Sequence, residues 1–594
     1  MKASSSKPES YLERIKAIGC DFEPAAFQTI YEQSVADFGE TFWSDCAEAL
    51  VWRQPYTELY VLAPEQRAWF VDGQVNYHQS IFKPERADTE ALVWYTKDGN
   101  REAMTFAVLE ANVQRVANFL RETGVTPGTT LCLATENRRI GALYALACLS
   151  LGVRFCFSYF KLPNEVLRHQ LRSLGVSTLI VETSIRPEQA TVSLSDIASL
   201  ERVFTVEADT HLVDVAETVS VTSLPALDAL PDAPDSCTPY SWPAEAPTIY
   251  GFTSGTTATP KAIPLGTAGH YVVGVTTHYL LFHTNRRKVL FAMDFAWGVA
   301  SIPCFFAPLI AGETVVIDER FFVPGAPHTF ATIGQEGIGA SYIPIAMLEA
   351  DHSQAEGTYD FTKVVLGGME LSQAALDGCI ALFDNPGRAI YFGYGSSELG
   401  GLTLFQVAKG TASMEDFKQL RPAPGVRYEV QNGETNEAGV LQIHAQLPSI
   451  CQEITGAKEA FAAQWSADGM WFMTDDVAID HGDTITLCGR TDHMIKVKGR
   501  FLDLSLYEQT VQTLTGQAAK LLNTAAAGEA QHLVLFIEGT ADATLSERVE
   551  KQVVETFGAY AKPHDVQYVP EFPRTVSHKV QAAELTKYYA ATKE

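Results

Sequence analysis

Residues 248–265 read TIYGFTSGTTATPKAIPL. A short apolar run, Ile249 to Phe252, leads into a loop of threonine, serine and glycine. Pro260 and Lys261 follow, and the chain then resumes as a second apolar run. Small side chains let successive backbone N–H groups approach phosphate oxygens, the hydroxyls add donors, and Lys261 adds charge. The stretch lacks G-x-x-x-x-G-K-[ST], so it is not a Walker-type loop. A Thr/Ser/Gly loop alone reads as a turn; with a strand before it and a lysine after it, it reads as a phosphate cradle.

Outward from this loop the pattern alternates between helix and strand. Residues 107–125, AVLEANVQRVANFLRETGV, carry Val108, Val113, Val116, Phe119 and Leu120 at helical spacing and close on a glycine. TTLCLAT (129–135), RFCFSYF (154–160) and STLIVET (177–183) read as short buried strands, with a second helix in GALYALACLSLGV (141–153). This alternation predicts an α/β fold with mostly parallel sheets. Residues 223–247 are rich in proline and acids and read as a surface connection. In the last hundred residues, LVLFIEG and DVQYVP read as strands and SERVEKQVVETFGAYA as an amphipathic helix, which makes a smaller α+β unit.

A chain of 594 residues exceeds one ordinary domain. With 46% apolar and 19% charged residues it is globular rather than disordered. Its net charge of −27 argues against nucleic acid or an anionic membrane as partner. The ten cysteines form no CxxC pair, and the fourteen histidines show no HxxxH or HxH pattern with carboxylate support. Free thiols in a reducing compartment are therefore expected, and a bound transition metal is not. The N-terminus has no long apolar run and no stretch reads as a membrane span, so a cytoplasmic location is expected.

Four further motifs follow the loop in order. They are YFGYGSSELGG (391–401), WFMTDDVAIDHGD (471–483), CGRTDHMIKVKGR (488–500) and PRTVSHK (573–579). Together with Thr253-Ser254-Gly255-Thr256-Thr257 and Pro260-Lys261, they resemble the motifs of the adenylate-forming enzymes, which include the AMP-forming acyl-CoA synthetases. FWSDCAEALVW (42–52) and WFVDGQVNYHQSIF (69–82) resemble the N-terminal extension of the acetyl-CoA synthetase branch.

The resemblance implies three regions. They are an extension over 1–100 packed on the large domain, an ATP- and acyl-binding domain over 101–491, and a mobile C-terminal domain over 492–594 with Asp492 as its hinge. It also implies the chemistry. A carboxylate attacks the ATP α-phosphate, giving an acyl-adenylate and pyrophosphate, and the thiol of CoA then displaces AMP. Lys579 would span carboxylate and α-phosphate, while Lys261 and the hydroxyls of Thr253, Ser254, Thr256 and Thr257 would hold the outer phosphates. Glu398 would bind Mg²⁺, a hard ion suited to carboxylate and phosphate oxygens. Asp476 would accept from the ribose hydroxyls with Arg490 nearby. Tyr394 would stack on adenine within the run Gly393, Gly395, Ser396 and Ser397, and Gly368, Met369 and Glu370 would line the other side of the base.

Four positions depart from the family pattern: Ala258 and His578 stand where glycine is usual, Asp475 replaces the glycine of T-G-D, and Phe501 falls where an arginine is expected beside Arg500. The acyl pocket departs too. By resemblance it involves Trp297, Gly298, Val299, Gly367 and Gly395, with Met293 and Phe295 nearby. Acetyl-CoA synthetase carries a tryptophan at the position of Gly395 and valines at those of Gly298 and Gly367. Three glycines predict room for a carboxylic acid larger than acetate. Two other readings stand beside this one: an adenylating enzyme that passes its acyl group to a carrier-protein thiol or an amine, and a nucleotide-binding paralogue without turnover. The N-terminal extension favours CoA as acceptor, and the retained Lys261, Glu398, Asp476, Arg490 and Lys579 favour an enzyme.

Overall fold

The computed structural model describes residues 9–63, 66–136, 139–159, 162–183, 192–206, 213–232, 238–252, 260–322, 331–349, 360–368, 371–383, 388–410, 412–431, 437–491, 494–497, 500–524, 532–540, 543–574 and 580–593. The chain forms two compact units, Met1–Tyr428 with Ile443–Phe472, and Glu429–Gln442 with Met473–Glu594. The chain thus passes into the second unit briefly at 429–442, well before the motif-based boundary at 491.

Two large sheets organise the first unit. One has seven strands in the order Ser220–Ser223, Arg202–Thr205, Thr178–Val181, Thr130–Ala134, Arg154–Phe157, Ile249–Phe252 and Ala262–Leu265. Its pairings are parallel except the last, where Phe252 faces Ala262 and Ile249 faces Leu265 across an antiparallel pair. Strands buried on both faces read as continuous apolar runs, which is why TLCLA, RFCF and TLIV were legible. The expected helix of 107–125 runs Phe106–Glu122, with Thr105 Oγ1 accepting from the Val108 N–H at its N-terminus. It buries Leu109, Val113, Val116 and Leu120; of the expected stripe Val113, Val116 and Leu120 face inward, whereas Val108 is 49% exposed, Phe119 is only half-buried, and Leu109 takes the inward place beside them.

The second sheet has nine strands: Arg421–Pro422, Gly401–Lys409, Ala389–Ser396, Lys363–Gly367, Ala340–Tyr342, Lys288–Leu290, Thr314–Asp318, Glu90–Tyr95 and Arg101–Thr105. The six from Ala389–Ser396 to Glu90–Tyr95 are parallel, and antiparallel strands close both edges. Glu90–Tyr95 is a full member, so this sheet begins within the first hundred residues. The aromatics of that region are core: Phe42, Trp43, Phe70 and Tyr77 are fully buried.

The acidic, proline-rich stretch at 223–247 is more than a surface connection. Trp242 is buried, donates its indole N–H to Leu149 O at 2.8 Å, and pairs with Val75 in a small antiparallel sheet. Ala244 is buried beside it and donates its N–H to Gly73 O at 2.9 Å, and Tyr240 N–H donates to Ser150 O at 2.8 Å.

In the second unit, strands Ala519–Asn523, Leu533–Glu538 and Asp565–Val569 form a three-stranded sheet. They pack with helices Leu504–Thr515 and Ala543–Phe557 round Tyr507, Val511, Leu521, Leu535, Val549 and Val553. The two strands and the helix expected there are all present, the helix starting three residues earlier than its motif. Among the described residues no helix is long and apolar enough to cross a membrane.

Candidate active site

In a parallel sheet the carboxyl ends of the strands lie along one edge, where ligands are received. Strands Lys363–Gly367, Ala389–Ser396 and Ala340–Tyr342 are parallel neighbours. Gly367, Gly368, Gly393, Tyr394, Gly395, Ser396, Ser397 and Glu398 all occur at their carboxyl ends. The phosphate-loop strand Ile249–Phe252 packs beside the short helix Gly298–Ser301, so its stem reaches the same region as the acyl-site residues. Thr253 to Thr257 and Ala258 lie outside the described residues, but both ends of the loop are set. Phe252 pairs with Ala262, Thr455 N–H donates to Ala262 O at 2.9 Å, and His169 Nε2 meets Pro260 O at 3.0 Å. Lys261 therefore leaves from a fixed base.

Glu398 stands in a turn after strand Ala389–Ser396 that is held from several sides. Cys451 N–H donates to Glu398 O at 2.9 Å, Ser449 Oγ to Leu399 O at 2.7 Å, and Leu399 N–H to Ser396 Oγ at 3.3 Å. Gly400 has φ +71°, and a side chain there would run into Ser449 O and the His270 ring. Burial first, and then the charge of the Glu398 carboxylate, push the Cys451 thiol up. The carboxylate is half-buried with the hydroxyls of Ser396 and Ser397 in the same turn. A carboxylate on a turn held in this way is a ligand of the kind that Mg²⁺ takes.

The glycines of the acyl segment are explained by backbone approach. A Cβ on Gly395 would overlap Gly401 O and come 2.8 Å from Leu402 Cα, at a bulge between Tyr394 and Gly395. A Cβ on Gly367 would press on Gly393 O and lie 3.3 Å from the Tyr342 hydroxyl. The missing side chains at 367 and 395 thus do not by themselves open a cavity. Met293 and Phe295 are buried, Phe295 stacked on Phe157 at 4.8 Å and edge-on to Phe305 at 4.9 Å. Trp297 is different: it is 56% exposed, and its indole comes within 3.8 Å of where a Cβ on Gly368 would stand. The Tyr342 hydroxyl closes on the same point at 2.8 Å. Tyr342 was missed in the sequence, where only its place at the end of a short apolar run could have marked it. Of Gly298 and Val299 only the backbone is described, as the start of helix Gly298–Ser301.

Asp476 and Arg490 belong to the second unit. They face each other across the antiparallel strands Trp471–Asp480 and Ile485–Arg490. Thr474 Oγ1 donates to Leu441 O at 2.8 Å and accepts from Asp476 N–H at 3.2 Å, which fixes the strand beneath Asp476. Arg490 Nη2 meets Asp475 Oδ2 at 3.2 Å, so the residue standing in place of glycine is itself a partner of the arginine. Met369, Glu370, Asp492, His578 and Lys579 lie outside the described residues, and Arg500 and Phe501 are described only as backbone of strand Arg500–Asp503.

Comparison with known proteins agrees with this architecture. The profile of the AMP-binding enzyme family matches residues 83–444, and that of the acetyl-coenzyme A synthetase N-terminus matches residues 27–80. The acetyl-coenzyme A synthetase of Chlorobaculum tepidum is 23% identical over 93% of this chain and 88% of that protein. That of Burkholderia mallei is 24% identical over 96% and 93%. Among solved structures, acetoacetyl-CoA synthetase from Streptomyces lividans superposes with a TM-score of 0.75 at 16% identity, covering 98% of this chain and 93% of the other. O-succinylbenzoate coenzyme A synthetase from Bacillus subtilis, in complex with AMP, gives 0.66 at 19% identity, covering 86% and 98%. The chain belongs to the AMP-binding, adenylate-forming enzyme family, as an AMP-forming acyl-CoA ligase that carries an acetyl-CoA-synthetase N-terminus.

Proposed function

We propose that the protein activates a carboxylic acid larger than acetate, using ATP, and transfers the acyl group to CoA with release of AMP and pyrophosphate. In the first step a carboxylate oxygen bonds to the α-phosphorus and pyrophosphate leaves. In the second the CoA sulfur bonds to the acyl carbon and AMP leaves. An anion must approach a polyanion in the first step, so catalysis is positioning plus electrostatic stabilisation. Lys579 supplies charge between carboxylate and α-phosphate, and Lys261 with the hydroxyls of 253–257 holds the outer phosphates. Glu398 would hold Mg²⁺, whose charge offsets that of the phosphates. Asp476 accepts from the ribose hydroxyls, and Tyr394 and Gly368 flank the base.

The observation that supports an acid larger than acetate is the exposed indole of Trp297 beside Gly368 and Tyr342. Each methylene of an acyl chain that covers such a surface is worth about 0.8 kcal/mol. Acetate, with one methyl, leaves most of the indole wet. The sequence relatives are named acetyl-coenzyme A synthetases, so acetate is the reference acid. The test is a panel of carboxylic acids with ATP, Mg²⁺ and CoA, read as pyrophosphate release and as thioester by mass spectrometry. A higher kcat/KM for a branched, aromatic or medium-length acid than for acetate is expected. Preference for acetate over every larger acid overturns the size assignment, and AMP release that ignores CoA overturns the acceptor.

A further inference from the structure

Residues 278–283 read HYLLFH, two histidines five apart. On an α-helix five residues turn the chain to about 140° from the starting face, so the two imidazoles would diverge. Here His278–Phe282 is a π-helical turn, closed by His283 N–H donating to His278 O at 2.8 Å. The wider turn carries one more residue per repeat and returns position 283 to the side of position 278. Such turns are rare and concentrate at functional sites. A search for α-helical HxxxH spacing passes over this pair for that reason.

Glu313 meets both rings. It stands between Gly312, at φ +72°, and strand Thr314–Asp318 of the nine-stranded sheet. Its Oε2 lies 3.1 Å from His278 Nε2, and its Oε1 is hydrogen-bonded to His283 Nδ1. The side chains of His278, His283 and Glu313 are 0%, 5% and 1% exposed, and one ligand atom of each lies within 4.8 Å of the other two. None of the three has a part in the adenylation chemistry. Helix Tyr11–Cys20 packs on the turn, so closely that a side chain at Gly19 would overlap Tyr279 O.

We propose that His278 Nε2, His283 Nδ1 and the Glu313 carboxylate form a buried site for a divalent transition cation of the zinc class. Two imidazole nitrogens and one carboxylate oxygen are a donor set that zinc takes, and the cation has no redox role here. The three groups leave one position of a tetrahedral ion for water, and the ion would join the helical turn to the strand that follows Glu313. A buried carboxylate between two imidazoles is costly unless fully compensated, and a divalent ion compensates all three groups at once. Lys363 is the competing cation. Its Nζ donates to Leu280 O at 3.2 Å, within the same π turn, and lies 5.5 Å from the centroid of the Tyr391 ring. A His–Glu–His hydrogen-bond network beside Lys363, in which His278 Nδ1 has no partner, is the arrangement that the test must separate from a metal site.

The full-length chain, free of any affinity tag, is stripped with a chelator, dialysed and titrated with Zn²⁺. One equivalent should bind, with a rise in thermal midpoint that saturates at that equivalent. His283→Gln and Glu313→Gln should each weaken binding about 100-fold or more, while Cys20→Ser should leave it unchanged. X-ray absorption on the zinc-loaded wild type should show nitrogen and oxygen ligands with imidazole scattering. No tight equivalent in the wild type overturns the proposal and identifies the metal-free His–Glu–His network. An equivalent retained in both variants, or sulfur in the first shell, overturns it as well. If the variants fail to fold, the absorption spectrum of the wild type decides alone.

Discussion

Arg490 Nη2 reaches Asp475 Oδ2 at 3.2 Å, while the backbone of Arg490 pairs with Asp476 across the two strands of the second unit. Asp475 stands where relatives usually carry glycine, and it adds a negative charge to the strand that carries Asp476. Both partners of the Asp475–Arg490 pair are half-exposed, so the pair adds little stability. Its effect should fall on a polyanionic substrate. Asp475→Gly is expected to lower the KM for ATP by about fivefold, corresponding to about 1 kcal/mol, with kcat unchanged. The gain should shrink as ionic strength rises, because the charges are solvent-exposed. A KM for ATP that is the same in variant and wild type from low to high salt removes Asp475 from any role near the nucleotide.

Glu398 separates catalysis from stability. The turn that carries it is fixed by backbone and serine contacts from Cys451, Ser449 and Ser396, none of which needs the carboxylate. Glu398→Gln should therefore leave the thermal midpoint nearly unchanged. Pyrophosphate exchange should fall by about 100- to 1000-fold, in line with the loss of one preorganised electrostatic group. The Mg²⁺ concentration for half-maximal rate should rise in parallel. Native exchange at native Mg²⁺ dependence would assign the metal to another residue.

Much of the fold was legible because buried parallel strands are short, continuous apolar runs bounded by glycine, as TLCLA and TLIV are. The stem of the phosphate loop was legible because the apolar runs on either side of it form the paired strands Ile249–Phe252 and Ala262–Leu265, while the Thr, Ser and Gly positions between them lie outside the described residues. Three features were not. Trp242 is buried within a proline-rich stretch where the other buried residues described, Leu230 and Ala244, lie at no regular spacing from it, so no period marks it. Gly367 and Gly395 look like vacated pocket positions in a linear reading, but it is the partner strand that fills the space their side chains would take. The pairing Gly367 with Gly393 and the bulge at Gly395 come from sheet register, which is a long-range property. His278 and His283 were passed over because periodicity rules assume an α-helix, and the chain there is π.

Acid stability should be sensitive to Glu336. Its carboxylate is 5% exposed and takes hydrogen bonds from Arg101 at 2.5 and 3.2 Å, Lys288 at 3.0 Å and Tyr95 at 2.6 Å. Burial works to raise its pKa, but these partners overcome it and hold the group at about 2, below the ordinary 4.5. A carboxyl depressed on folding contributes stability that is complete above the unfolded value. That stability is lost as pH falls from about 4.5 towards 2. The contribution is on the order of 2 kcal/mol. Glu336→Gln should lower the denaturant midpoint of the first unit at pH 7 and flatten its decline between pH 5 and 3. A parallel decline in variant and wild type would mean that other carboxyls govern acid unfolding.

Substrate size is decided by comparing Trp297 with Gly395. A side chain at Gly395 meets the Gly401 carbonyl and the Leu402 backbone, neither of which is a flexible group that can move aside. Even Gly395→Ala should therefore destabilise by about 1–3 kcal/mol, the usual range for overpacking, and Gly395→Trp should cost more before it alters any acyl preference. Trp297 is exposed, so Trp297→Ala should change stability by less than about 0.5 kcal/mol. It should still remove apolar surface from beside Gly368 and Tyr342. If that surface covers the acyl chain, the variant loses about 10- to 100-fold in kcat/KM for the best large acid, as expected for one to three kcal/mol of lost contact. Its kcat/KM for acetate should stay within about twofold, because one methyl group covers little of the indole. Equal losses for acetate and for larger acids would show that Trp297 acts on the nucleotide or on folding, and would remove the observation on which the larger-acid assignment rests.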